Sequence, residues 1–389
     1  MPYLFKNGLA SVYLLSIIIY ISQGILYDGT WFSLLAGVNV LLFNSYFTAR
    51  YLLRRNKQPL FPIHFVLLVW VIIIWAISQK EYSFQFERVN TLPVIQHIIL
   101  VCTSFSSFYY LASTKILKKW VIVLFLALIS VIFVYNILHY DVQTLGAGEY
   151  DYSSANNQAY PLTALIPMLV IFWERKWLMF LLMIAAFIFV VICMKRGAMM
   201  CAAAFLIISL FYVIKQNLHK SFRHSFATIS TISVILITLI LVLITIYNDN
   251  PLLQGRFDHG SDTREFIYNR IVDGLYKSDF LEILIGHGPI STLSVAQNYA
   301  HNDWLEMVYD FGIIGLGIYV LIPLAILHFY KKNNLSYDCK AAIIMCLSYI
   351  LIRSTVSMCI YQLESILIWG LLGLTFGMVD YERVHTKCK

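Results

Sequence analysis

Apolar positions along this chain come in long unbroken blocks rather than at the period of a surface helix or a half-buried strand. About twelve blocks approach the ~20 residues that a helix needs to cross a bilayer. They lie near 8–26, 31–49, 60–78, 93–113, 120–137, 161–173, 177–194, 198–214, 225–247, 308–330, 341–358 and 362–379. Short polar connectors separate most of them, and one long polar segment, 248–307, interrupts the series between the ninth and tenth. The pattern predicts an all-α polytopic membrane protein of about 12 transmembrane helices, with 1–389 forming a single integral membrane domain. The 248–307 segment is then a large loop outside the membrane that carries short amphipathic helices.

Composition supports this class. The chain is 60% hydrophobic and 13% charged, against about 25% charged residues in an ordinary soluble domain. The net charge of +7 would suggest a nucleic-acid partner in a soluble protein, but here the basic residues sort by connector and no nucleic acid is expected. Lys6, Arg50/Arg54/Arg55/Lys57, Lys115/Lys118/Lys119, Arg175/Lys176, Lys215/Lys220/Arg223, Lys331/Lys332/Lys340 and Arg383/Lys387/Lys389 fall on one side. Cytoplasmic connectors are enriched in Lys and Arg, so both termini are expected inside, with 138–160 and 248–307 outside. The first apolar block lacks a small-residue cleavage site and reads as a retained span. All seven cysteines lie in spans or in segments read as cytoplasmic, which leaves no disulfide framework in the outer loops and no cysteine spacing for a metal.

Outside the membrane the polar residues need individual explanation. The stretch from Asp262 to Val272 reads as an amphipathic helix, with Asp262 as cap, Glu265 reaching back to it, and Phe266, Ile267, Ile271 and Leu275 as its apolar face. Arg264 falls in the first turn, where the helix dipole favours an anion. Gly286-His287-Gly288 reads as a turn. Ala300-His301-Asn302-Asp303-Trp304-Leu305-Glu306 then gathers a histidine, an amide and two acids at the threshold of the tenth span. His301 is the candidate general base, since an ordinary imidazole accepts protons near pH 7, and Asn302, Asp303 and Glu306 are its candidate supports. Lys195-Arg196-Gly197 is a basic step on the side where basic residues are scarce. Arg353, within an apolar block, is expected to pair with Glu364. Guanidinium groups match phosphate oxygens, so Arg196 and Arg264 point to a diphosphate held near His301. Glu149-Tyr150-Asp151 is the one acidic element that resembles a metal motif, and Asn156, Asn157 and Gln158 are candidate sugar-binding groups.

Taken in order, Lys195-Arg196-Gly197-Ala198, Asp262-Thr263-Arg264, Gly286-His287-Gly288 and Ala300 to Glu306 followed by Gly312-Ile313-Ile314-Gly315 resemble the O-antigen ligase-like superfamily. That group includes Wzy-type polysaccharide polymerases and WaaL-type ligases that join O-antigen to lipid A-core. The resemblance covers roughly 192–317. It implies an inverting glycosyl transfer without metal or other cofactor, from an undecaprenyl-diphosphate-linked oligosaccharide, on the periplasmic face of the bacterial inner membrane. It assigns His301 to activating the hydroxyl of the glycan acceptor, and Arg196 and Arg264 to the diphosphate. Arg256 is kept as a supporting substrate contact. A chain-length regulator and a flippase are the implied protein partners, besides membrane lipids. The ligases usually carry Ser/Thr-Arg where this chain has Lys195-Arg196, and often a second histidine just before the His-Asn pair, where Asn298 and Tyr299 stand here. Both departures favour the polymerase, with the ligase as the alternative. A twelve-span transporter is the third reading, but its repeated halves are not apparent, and the long loop after span nine breaks any symmetry between halves.

Overall fold

A computed structural model describes residues 3–22, 30–53, 58, 60–78, 83–84, 87–88, 91–139, 155–218, 244–245, 248, 254, 262–360 and 362–386. Its long helices are α1 (Tyr3–Ile21), α2 (Thr30–Leu52), α3 (Leu60–Ser78), α4 (Leu92–Ser113), α5 (Lys119–His139), α6 (Ala155–Leu165), α7 (Lys176–Ile192) and α8 (Arg196–Leu218). A 3-10 helix, Ile166–Phe172, continues α6. The 248–307 segment carries α9 (Asp262–Lys277), α10 (Phe280–Ile285) and α11 (Thr292–Ala296), and α12 (Asp303–Lys332), α13 (Tyr337–Val356) and α14 (Ser365–Thr386) follow. One antiparallel pair of two-residue strands, Ser83–Phe84 with Glu87–Arg88, joins α3 to α4. The protein is an all-α polytopic membrane protein, and six of its described helices are long and apolar enough to cross a bilayer. Eleven of the twelve expected blocks fall on helices. The ninth, 225–247, lies almost wholly outside the described residues, as do Glu149, Tyr150, Asp151 and Arg256.

Apolar side chains that face lipid give no net drive for helices to pack in a membrane, so close approach and buried polar contacts hold the bundle. Gly373-Leu374-Thr375-Phe376-Gly377 on α14 supplies the closest approach. A Cβ at Gly373 would stand 2.3 Å from the Phe105 carbonyl oxygen, and one at Gly377 2.5 Å from that of Tyr109, so α14 lies directly on the backbone of α4. Polar links tie the rest. Asn44 on α2 donates to the Thr103 hydroxyl on α4 at 3.0 Å, and Trp70 on α3 donates from Nε1 to the Phe311 carbonyl on α12 at 3.0 Å.

One expectation is corrected by the geometry of α9. In α9, Ile267 and Ile271 are buried against Ala296, Ala300 and Tyr309, with Leu275 beside them. Phe266 is 54% exposed on the opposite side, its ring under the Arg270 guanidinium at 4.2 Å. At 100° per residue, position 266 lies off the arc shared by 267, 271 and 275. A capping box forms at α10, where none was expected. Asp279 accepts from the Glu282 N–H at 2.7 Å, and Glu282 accepts from the Asp279 N–H at 3.2 Å. The Asp262 side chain, the expected cap of α9, lies outside the described residues.

Candidate functional site

The segment from α9 to α11 meets α12 at a crossing of two glycines. Gly286 (φ 88°) ends α10, and Gly312 (φ 71°, ψ −177°) breaks α12. Both conformations are essentially open only to glycine. A Cβ on Gly286 would stand 2.3 Å from the Asp310 carbonyl oxygen, and one on Gly312 would stand 2.3 Å from that of Leu284. The break frees carbonyls of the helix, and a buried carbonyl must find another donor. Tyr309 O accepts from the His287 N–H at 3.0 Å and Asp310 O from the Gly288 N–H at 2.9 Å. Phe311 O takes the Trp70 bond. Gly286-His287-Gly288 is therefore more than a turn: it supplies the partners of the broken helix.

His287 locks the same joint. Its ring stacks on Tyr309 at 4.3 Å between centroids, Nδ1 bonds the Tyr309 carbonyl at 3.1 Å and Nε2 bonds the Ser278 hydroxyl at 3.0 Å. With both nitrogens engaged in holding backbone and α9, it has a structural role.

Buried carboxylates then fix the path from the crossing to His301. Asp310 accepts from the Ile290 N–H at 2.7 Å, the Ser291 hydroxyl at 2.7 Å and the Thr292 N–H at 3.3 Å. Those bonds hold Ile290, whose φ of 55° is costly for a β-branched residue. Glu306 accepts from the Ala300 N–H at 2.6 Å and the Thr292 hydroxyl at 3.0 Å. Asn302 is the N-cap of α12, accepting from the N–H groups of Trp304 and Leu305 at 3.0 and 3.2 Å. Asp303 reaches the other way. One oxygen accepts from Tyr319 and Ser354 hydroxyls and from the N–H groups of Cys359 and Ile360, which anchors the α13–α14 connection.

His301 sits in the middle of this scaffold, between two fixed neighbours, with φ 51°. Left-handed backbone is uncommon for a residue with a side chain, and such strain persists only where the surroundings impose it. Here the Glu306 bond to Ala300 and the Asn302 cap impose it. Neither Asp303 nor Glu306 bonds the imidazole; both Glu306 oxygens and one Asp303 oxygen are directed to backbone and hydroxyl groups, and among the described residues the ring has no protein hydrogen-bond partner. The residue is partly exposed. Burial, then the positive charges of Arg264 and Lys195, push its pKa down from 6.5 to about 4.

The structure therefore brings Lys195 and Arg264 to His301, although they are far apart in the chain. Arg264 is partly buried on the first turn of α9, Lys195 is partly buried, and Arg196 is exposed at the start of α8. Lys195 was legible as half of a basic pair, but only the fold shows that its charge acts on the histidine. Behind the site Arg353 pairs with Glu364, as the sequence suggested, and also bonds Tyr349. Its guanidinium lies 4.1 Å over the Tyr160 ring. Asp310, Thr292 and Tyr160 were not singled out as site residues from sequence. Their only signals were a second acid one turn after Glu306 and a tyrosine beside the Asn156-Asn157-Gln158 step. Of that step, the Asn156 side chain lies outside the described residues, Asn157 is partly exposed and Gln158 is buried.

Comparison with known proteins agrees with this picture. None of the curated proteins matches the chain. Residues 180–320 match the family model described as O-Antigen ligase, a span that runs from α7 through Lys195, Arg264 and His301 to the break at Gly312 and beyond. Every element of the histidine scaffold from α8 to the head of α12 lies inside that match, so this stretch is similar to the O-antigen ligase family, within a multi-pass membrane protein.

Proposed function

We propose that this protein polymerises lipid-linked polysaccharide repeat units, transferring the growing glycan from undecaprenyl diphosphate to the non-reducing end of another lipid-linked unit. His301 takes the proton of the acceptor hydroxyl. The hydroxyl oxygen attacks the anomeric carbon as the bond to the diphosphate oxygen breaks, with inversion, and the electron pair leaves on the diphosphate. Arg196 and Arg264 hold that leaving group, and Arg256 is a further contact outside the described residues. Asn302, Asp303 and Glu306 act through the backbone, as cap and anchors, rather than by touching the base. The reaction is read as needing no metal, and it takes place on the periplasmic face of the inner membrane, with both termini in the cytoplasm.

The observation that carries the proposal is the charge around His301. Two cations beside a general base oppose its protonation, an arrangement that serves catalysis once an anion lies among them. A diphosphate is such an anion, and bound there it restores the basicity that Arg264 and Lys195 remove. The family description names the ligase, which uses the same chemistry on a lipid A-core acceptor. Lys195 in place of Ser/Thr, and Asn298-Tyr299 in place of a second histidine, favour the polymerase. His301→Ala is expected to abolish chain extension while the protein still accumulates in the membrane, and a normal ladder of glycan lengths on a gel would refute the assignment. Deleting the gene separates the two acceptors: a core capped by one repeat unit means polymerase, and an uncapped core with accumulating lipid-linked polymer means ligase.

A further inference from the structure

Tyr160, one residue before Pro161 in α6, has been placed so far only as the ring under Arg353. It is 5% exposed, and its ring is clamped under the buried Arg353 guanidinium at 4.1 Å, which is itself held by Glu364. The clamp fixes where the hydroxyl goes. A Cβ on Gly197 would stand 2.2 Å from the Tyr160 hydroxyl oxygen, so the phenol occupies the space a side chain would fill, on the residue next to Arg196. The Ser357 side chain and the Arg264 charge both act on the same hydroxyl. A neutral phenol carries a proton that it can donate. Three features thus meet at one point: a rigid donor, the first turn of α8 behind Arg196, and the cation of α9 that also acts on His301.

We infer that the Tyr160 hydroxyl is a phosphate-binding group, donating a hydrogen bond to the diphosphate of the lipid-linked donor between Arg196 and Arg264. This rests on the proposed reading of the site. A neutral donor beside two cations contributes direction rather than charge: it holds the diphosphate in one orientation without lowering the basicity of His301 further. The Arg353–Glu364 pair, buried one layer behind, serves as the mount for the ring. Gly197 is glycine because any side chain would displace the hydroxyl.

Tyr160→Phe keeps the ring and its contact with Arg353 and removes only the donor. Loss of one hydrogen bond to a charged group corresponds to about ten- to a hundredfold weaker binding. The purified variant, with an unchanged melting temperature, is expected to bind undecaprenyl diphosphate more weakly by that factor and to show a raised KM for lipid-linked donor. Its association with phosphatidylglycerol should not change. Gly197→Ala pushes the hydroxyl away and is expected to reproduce the defect, and it also carries the test if Tyr160→Phe melts early. Added to Tyr160→Phe it should weaken diphosphate binding little further, because the group it displaces is already gone. Wild-type binding of undecaprenyl diphosphate by Tyr160→Phe, or a parallel loss of phosphatidylglycerol, overturns the inference. His301→Ala keeps the two readings separate. It should bind undecaprenyl diphosphate normally without extending chains, so chain extension by that variant defeats the proposed reaction, whereas normal binding by Tyr160→Phe defeats only the role of the tyrosine.

Discussion

Replacing Gly312 by alanine is the most direct test of the architecture that presents His301. The native backbone at this residue, φ 71° and ψ −177°, is open to glycine and strained for anything larger, at a cost of about 1–3 kcal/mol. The added Cβ would also stand 2.3 Å from the Leu284 carbonyl oxygen and 2.6 Å from the Ile285 nitrogen. Those atoms are backbone, so relief requires α10 to move off α12, and overpacking of this kind costs a further ~1–3 kcal/mol. The sum, roughly 2–6 kcal/mol, is a large part of the ~5–15 kcal/mol by which folded proteins are stable. Gly317, five residues on in the same helix, is an internal control, since a Cβ there meets nothing within 4 Å. Gly317→Ala should be neutral or stabilise by up to ~1 kcal/mol through helix propensity. Thermal melting of the two purified variants in one detergent, with glycan extension measured alongside, decides the matter. Gly312→Ala should melt well below wild type and lose activity; equal melting temperatures for the two alanine variants would refute the crossing.

Glu306→Gln keeps an acceptor for the Ala300 N–H and a donor for the Thr292 hydroxyl, so it should retain most activity. Glu306→Ala leaves the Ala300 N–H unmet and should cost about 1–3 kcal/mol together with most of the rate, and equal loss in both variants would contradict the anchoring role. The pKa of His301, pushed down to about 4, sets the acid limb of kcat/KM near that pH; the limb in kcat should lie higher, because bound diphosphate offsets Arg264 and Lys195. Coincident limbs would argue against an anion among those groups. Since the folded value lies below the ordinary 6.5, the contribution of His301 to stability is present above about pH 6.5 and is lost as the pH falls toward 4, a slope that His301→Gln should flatten. Arg353→Ala strands Glu364 in the bundle and should destabilise by about 3–5 kcal/mol, read as a lower melting temperature; an unchanged melt would mean that the pair is dispensable.

Much was legible along the chain because lipid imposes a one-dimensional rule. A span must be apolar on all sides and satisfy its backbone internally, so blocks such as 60–78 and 120–137 are written locally and reappear as α3 and α5. The buried pair of Arg353 and Glu364 was legible for the same reason, since a charge within an apolar block needs a partner. So was the ordered set of polar steps from Lys195 to Glu306, which lies within the 180–320 stretch that is similar to the O-antigen ligase family. What the acids do was not legible. Helical spacing allowed Asp303 or Glu306 to orient His301, but a carboxylate bonds whichever donors the fold delivers, and these come from Ala300, Thr292, Tyr319, Ser354 and the 359–360 backbone. Nor could periodicity place Phe266, whose side of α9 is decided by what packs against Ile267 and Ile271. A membrane bundle, the long polar segment 248–307 and the residue types available for chemistry could be read along the chain, because hydrophobicity and residue identity are local properties. Only the tertiary structure decided that Gly286 crosses Gly312, that Lys195 and Arg264 converge on His301 and that Tyr160 stands against Gly197, because contacts between distant segments depend on packing that no local pattern encodes.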